Sequence, residues 1–424
     1  MASQGKPVAL RFPVGVDQVS AETDLSPGTA RRIVNLDIHN GGVTQKGAAY
    51  GGRLSERSAV KLAVAGVNTH SLWSCDYATC YIAAGDLMTL DAAMSPSVLR
   101  AGVGNAELFC VEVNGVVYYS NGTLTGTITN GVPGMWGIPV PPAPAAVAIA
   151  SGGLSAGTYM VALTHQDATG RESGASVATV VQVAEGGGIA LGGLAAPAGY
   201  VARVYVTPTN GDALYWVQNV PSGMATSYVG AHQPGKLLAT QHMEPPAPGI
   251  HLEYHNGRIY SAVDNVLLAT RAMNYDLTRP ATDYVLMPAP ITMNKAVTDG
   301  LYVGSQYGVT FLAGADIGQF APRSADKLPP IPGSSMKVDG ALFGVPGDAV
   351  VWLTQRGWVL GAAGGQTKRL TESQMALPKY DRAAGLFREH DGLRQLVTFV
   401  KGGGEAAGAS DSYDVEIVRN GRIV

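Results

Sequence analysis

The chain has 424 residues, 46% apolar and only 14% charged, with a net charge of −3 at neutral pH. That is enough apolar material for a large core, and it gives no electrostatic case for nucleic-acid binding as the main task. No apolar stretch is long enough to span a bilayer, so no membrane-spanning segment is expected. The N-terminus also lacks the apolar core of a secretion signal, and three cysteines (Cys75, Cys80, Cys110) are too few for a disulfide scaffold.

Fifty-five glycines and 25 prolines without a collagen period describe a chain that turns often, and helical periodicity is nearly absent. The first element is an exception. In "SPGTARRIVN" (Ser26–Asn35), Ser26 can cap a helix and Pro27 can take its first position. Next, "RIVNLDI" alternates, with Ile33, Asn35 and Asp37 on one side and Val34, Leu36 and Ile38 on the other. That predicts a half-buried strand, an "HNGG" turn and a returning strand in "VTQKGAAY" (43–50). Strand clusters follow at 70–92 and 107–128, the second holding "VNGVVYYSNG".

A proline-rich linker is read at 136–149, "WGIPVPPAPAAVAI", and another at 242–254. Between them lie an alternating strand with a turn at Asp167–Gly170, a Gly-rich segment (186–194), two strands around Asn210–Asp212, and a last strand at 225–231. About a hundred residues of short antiparallel strands is the size of a β-sandwich. Strand clusters resume at 251–271, 292–314, 340–370 and 385–400, with a short helix expected over 371–377. The C-terminus ends in a hairpin whose tip is Asn420–Gly421.

An Asn-Gly, Asp-Gly or Arg-Gly turn before a β-forming run recurs at Gly115, Gly257, Gly300, Gly357 and Gly392. The later spacings are 43, 57 and 35 residues, which suits propeller blades of about 40 to 50 residues. The first spacing, 142 residues, is one blade plus the sandwich. The expected fold is therefore all-β, a β-propeller of about six blades interrupted by an inserted sandwich. The expected domains are residues 1–139 and 247–424 for the propeller and 140–246 for the insert. Strands from the two ends are expected to complete one blade, with Leu36 and Ile38 beside Val415 and Ile417; the alternative is an N-terminal arm that docks on a neighbouring subunit.

The chemistry-bearing residues point away from catalysis. His251 and His255 in "HLEYH" would share a helix face, but on a strand they lie about 13 Å apart, too far for one metal. Cys75 and Cys80 in "CDYATC" lack a second pair nearby. "AEGGGIALGG" (184–193) lacks the Lys-Ser/Thr of a phosphate loop, and no Gly-x-Ser-x-Gly elbow is visible. Propeller glycosidases gather acids from different blades, and Asp264, Asp299 and Asp348 are the candidates here. Each sits where a turn would favour Asp anyway. Trp73, Trp136, Trp352 and Trp358 are the candidate sugar-stacking surfaces, although Trp352 and Trp358 lie in β-runs and read as core. The expectation is no catalytic, cofactor-binding or metal-binding residues and no cofactor.

"TDLSPGTARRIVNLDIHNGGVTQKGAAYGG" (Thr23–Gly52) resembles the opening of tail nozzle proteins of short-tailed bacteriophages, also called tail hub or packaged-DNA stabilisation proteins. "GTYMVALTHQDATGRESGAS" with "ARVYVTPTNGDALYWV" is similar to the fibronectin type III-like insert common in phage virion proteins. The blades match that family only in style. The resemblance implies a structural protein of the virion tail, made in the host bacterial cytoplasm. It implies a homo-hexameric ring below the portal-adaptor complex (the head-to-tail connector), with tail fibres or a needle as further partners. Genomic DNA would be retained and then pass through without sequence-specific binding. A carbohydrate-binding or glycoside-cleaving propeller acting in host recognition is the alternative.

Overall fold

The computed structural model describes residues 67–372, 377–390 and 393–402, with short pieces within 15–56 and 415–423. The chain is all-β, and several of its sheets are four-stranded antiparallel meanders of the kind that make β-propeller blades. It divides into two compact units, residues 66–263 with 267–286, and residues 1–65 with 264–266 and 287–424.

In the unit that begins at residue 66, the first sheet takes its strands in chain order: His70–Ser74, Thr79–Ala83, Asp86–Leu90 and Pro96–Arg100. The second does the same with Phe109–Val113, Val116–Ser120, Thr125–Thr129 and Val132–Gly134. A two-residue loop at Asn114–Gly115 joins its first pair, with φ of 55° and 80°. Left-handed backbone at both positions gives the turn whose twist matches the strands, which is why the Asn-Gly pair marked a hairpin correctly. A further sheet orders Ile250–His255, Arg258–Val263, Val266–Ala269 and Tyr284–Leu286, with Asn256–Gly257 at its first turn (φ 43° and 82°).

Alternation along one strand explains how these sheets hold together. In Val116–Ser120, Val117 and Tyr119 point into a core shared with Cys80, Ile82 and Leu87 of the first sheet. Tyr118, between them, points the other way, to Val113, Trp136, Leu252 and Ile259. Successive side chains leave opposite faces of a strand, so one strand feeds two cores.

Residues 145–229 interrupt this series with seven strands in two sheets. Ala145–Leu154, Gly187–Gly192 and Thr226–Val229 form one sheet. Thr179–Val183, Gly157–Asp167, Tyr200–Val206 and Tyr215–Val220 form the other. Leu154, Ile189, Leu191 and Val229 from the first meet Tyr159, Val161, Leu163, Val204 and Val206 from the second in one core. That is a β-sandwich. Two of its strands are absent from the sequence reading. Ala145–Leu154 starts inside the segment read as linker, because the prolines at 139, 141, 142 and 144 outweigh its short Val147–Ile149 alternation. Thr179–Val183 lies between the segments read as strands.

In the other unit, one sheet orders Ile291–Val297, Gly300–Ser305, Gly308–Ala313 and Ala321–Asp326. The next orders Met336–Asp339, Asp348–Thr354, Gly357–Gly361 and Thr367–Arg369. Val350, Trp352 and Val359 pack on Tyr302, Val309 and Phe311 of the preceding sheet. Val351, Leu353, Trp358 and Leu360 face Ala383 and Leu396 on the other side. A three-stranded sheet of Arg382–His390, Leu393–Lys401 and Val415–Glu416 follows. The loop read as Asp299–Gly300 is Thr298–Asp299, and Gly300 already belongs to the strand. A Cβ there would lie 2.4 Å from the Leu312 carbonyl oxygen, so the glycine serves close strand approach rather than the turn.

Several expectations change. Within the helix expected over Ser26–Asn35, Thr29–Ala30 is a strand paired in parallel with Gly15–Val16, and residues 26–28 and 31–35 lie outside the described residues. Leu36–His39 pairs with Arg53–Glu56, and the returning strand expected at 43–50 lies outside them too. Val415–Glu416 pairs with Leu396–Val397, so Leu36–His39 and Val415–Glu416 have other partners than each other. Ile417 and most of the helix expected at 371–377 are not described. The C-terminal hairpin pairs Val418–Arg419 with Arg422–Ile423, as its Asn-Gly tip requires. "GALF" (340–343), read with the strands, is a 3-10 turn, begun where the Asp339 carboxylate accepts from the Ala341 N–H and ended at Gly344, with φ 76°.

Trp358 is 1% exposed at the centre of one of these inter-sheet cores. Replacing it with alanine should cost about 3–5 kcal/mol. Thermal unfolding followed by circular dichroism should show a large fall in Tm, and a Tm within a degree of wild type would contradict this packing.

Candidate functional site

The residues singled out for chemistry do not converge. Asp299 holds the Gly364 N–H through both carboxylate oxygens (2.8 and 3.1 Å), while Asp348 pairs with Lys337 at 2.8 Å on the surface. Asp264 sits in a left-handed turn (φ 54°), its carbonyl accepting from the Ile291 N–H. The three acids do local work with separate partners, as Asp does in turns. Of the tryptophans, Trp136, Trp352 and Trp358 are buried and Trp73 is half-buried. Trp136 donates its indole N–H to the Tyr275 carbonyl at 2.7 Å, so three of the four cannot offer a face to a sugar.

His251 and His255 lie on one strand, as the spacing argument required. A register shift between Ile250 and Glu253 puts His251 in left-handed backbone (φ 54°), edge-on to Phe109 at 4.8 Å. His255 is buried beside the Tyr260 ring. Among the described residues no group of three or more His, Cys, Asp or Glu side chains is arranged to hold a metal. The Gly-rich stretch "GGIALG" is a sandwich strand whose glycines admit the Tyr228 ring and the Ile149 carbonyl, with no helix N-terminus for a phosphate to meet.

The structure assembles other polar groups that the sequence did not announce. On the outer face of the four-stranded sandwich sheet, Glu172 accepts from Thr164 and Tyr205 (2.5 Å each) and from Arg203 at 2.9 Å. The Arg203 guanidinium lies over the Tyr205 and Trp216 rings at 5.5 and 5.4 Å. Burial, then the Glu172 carboxylate, pushes the Tyr205 hydroxyl well above the ordinary tyrosine range, so it serves only as a donor. Further along, Asp283, 3% exposed, takes Arg271 at 3.1 Å, Arg258 at 3.7 Å and the Arg279 backbone N–H at 3.0 Å. Both clusters are closed on themselves. Their members come from positions 31 to 41 residues apart (164 and 205, 172 and 203) or from adjacent loops, and no spacing rule marks such a set.

A third group joins the sandwich to its neighbouring sheet. Asp167 accepts from the Thr169 and Arg171 N–H groups and from the Arg171 side chain at 2.8 Å, and Arg171 reaches Asp276 at 3.4 Å. Burial works to raise the Asp167 carboxyl, but the hydrogen bonds from Thr169 and Arg171 outweigh it and hold the group below its usual range. Burial raises Asp276, and Arg171 offsets this only in part.

No protein-family model and no curated protein matches the chain. Solved structures match at a distance. Virginiamycin B lyase from Staphylococcus aureus is 9% identical over 77% of this chain and 90% of that one, with a TM-score of 0.31. BBS1N in complex with ARL6DN is 11% identical over 84% and 94%, at 0.30. PorZ of Porphyromonas gingivalis is 10% identical over 92% and 49%, at 0.22. At such identities no activity, substrate or partner carries over from any of them.

The Asp167 turn yields a pH-dependent expectation. A carboxyl held low in the folded state stabilises it above its unfolded pKa, and the contribution is lost as pH falls through the folded value. Asp167→Asn keeps an acceptor but loses the charge, so it should cost about 1 kcal/mol at pH 7. The gap in Tm to wild type should close as the pH falls below 4. A gap that persists unchanged at pH 3 would deny the carboxylate this role.

Proposed function

We propose that the chain is a structural component of a short phage tail, a nozzle or hub ring that retains packaged DNA and conducts it at ejection. The observation that carries this reading is the chain order of its sheets: two blade-type sheets, a sandwich, then further blade-type sheets. That is the order the resemblance implies for a propeller of about six blades with an insert at 140–246. The low charge supports it as well, because each neutralised phosphate would add affinity that stalls a moving duplex. Asp299 and Asp348 are engaged locally and Trp136, Trp352 and Trp358 are buried, which leaves a glycan-cleaving or glycan-stacking reading little support.

Purified protein viewed by electron microscopy and weighed by native mass spectrometry should form a homo-hexameric ring, alone or once mixed with the portal-adaptor complex. A monomer under both conditions would sink the reading, as would robust turnover of glycosides, esters or peptides that is lost on mutating a turn Asp.

The same reading makes the sandwich a separate domain. Joining Pro139 to Gly249 through a short Gly-Ser linker removes it together with the Arg171–Asp276 ion pair and the bridge between Glu244 and Thr278. Circular dichroism of this variant should still report a folded β protein with a cooperative melt, and residues 141–246 alone should fold too. An unfolded product in either case would show the sandwich to be integral to its neighbours.

A further inference from the structure

All three cysteines of the chain, 35 residues apart at most in sequence, meet in one place. Cys80 lies on Thr79–Ala83 of the first sheet and Cys110 on Phe109–Val113 of the second, with their Sγ atoms 3.8 Å apart. Cys75, in the loop between the first two strands of the first sheet, packs against the same core. The rest of that core is apolar, built from Ile82, Leu87, Val103, Leu108, Val117, Tyr119 and Ile128. A buried cysteine is ordinarily a small inert hydrophobe. A pair on two different sheets, with sulfurs in contact across the seam, is placed to do more.

We infer that Cys80 and Cys110 are an oxidisable pair that closes to a disulfide between the first and second sheets when the folded protein meets peroxide. The sulfurs need to approach by about 1.8 Å more to reach bonding distance. Cys80 is buried and Cys110 sits in a half-buried residue of the same core, so the oxidant has to be as small as peroxide. The Cys80 thiolate attacks hydrogen peroxide, giving a sulfenic acid and hydroxide. The Cys110 thiolate then attacks the Cys80 sulfur and expels a second hydroxide. Two thiols and one peroxide give one disulfide and two waters.

The environments suit these roles. The Cys110 hydrogen bond lowers the Cys80 thiol, which favours Cys80 as the thiolate that attacks peroxide. Burial, and then Cys80 beside it, raise the Cys110 thiol well above the ordinary range, so the second step is slow near neutrality and speeds up as pH rises. Cys75 contributes a third sulfur to the neighbourhood, and its Sγ accepts from the Tyr77 N–H at 3.4 Å. The Arg100 guanidinium donates to the Tyr119 hydroxyl at 2.9 Å across the same two sheets, so the new bond ties segments already held against each other.

The full-length chain, incubated with millimolar hydrogen peroxide at pH 7 and pH 9 and then alkylated without reduction, provides the test by peptide mass spectrometry. The expected product is a Cys80–Cys110 linked peptide, formed at least several-fold faster at pH 9, with a Tm raised by a few degrees and restored by dithiothreitol. Cys75→Ser should form the same link, and Cys110→Ala should not gain the Tm shift. If the only products involve Cys75, or if Cys80 and Cys110 are recovered unlinked and alkylated once the protein is unfolded, the inference fails. Should Cys110→Ala not fold, the Cys75→Ser variant still decides, because it leaves the pair intact.

Discussion

A strand sends alternate side chains to opposite faces, and in this protein both faces of the middle strands are covered. Val117 and Tyr119 go to one core and Tyr118 to another, while Trp352 and Val351, adjacent in sequence, belong to different cores. Each such sheet is therefore held by two neighbours, and each core by two sheets. A sheet of this kind has little stability alone, because half of the apolar surface it must bury belongs to someone else. The glycines crowded between strands follow from the same constraint. At Gly300 and Gly361 a Cβ would strike backbone or aromatic rings of the packed neighbour.

The same alternation explains why polar chemistry is sparse and self-contained. Interior positions go to cores, and the buried carboxylates that remain inside draw several donors each. Glu172 has Thr164, Tyr205 and Arg203, and Asp283 has arginines on two sides. A buried carboxylate is tolerable on those terms and costly on any others. A wall that must be rigid and must not grip its cargo has use for such matched groups, and this is consistent with the proposed place in a phage tail.

The sandwich is fastened to its surroundings differently from the way the blade sheets are fastened to each other. Its own core, from Leu154 to Val229, is complete within two sheets. What ties it to the neighbouring sheet is polar: Arg171 shared by Asp167 and Asp276, and backbone pairing of Glu244 with Thr278. Exposed polar ties of this kind contribute about 1 kcal/mol or less each, far below a shared apolar core.

Much of the strand pattern was legible in the sequence, because Asn-Gly turns and β-branched runs are local signals. Asn114–Gly115 and Asn256–Gly257 take the left-handed pair their dipeptides favour, and the Asn420–Gly421 hairpin pairs as read. Where the local signal was weak the reading failed: Ala145–Leu154 looks like a linker, and "SPGTA" looks like a helix start although Thr29–Ala30 pairs as a strand. The sequence by itself determined that this is an all-β chain and where many of its turns fall. Only the tertiary structure decided which side chains meet. Cys80 beside Cys110, Glu172 beneath Arg203, and Asp299 on the Gly364 amide are contacts between residues far apart in the chain. Period-two patterning says which face a residue takes, but not which other strand will lie across from it.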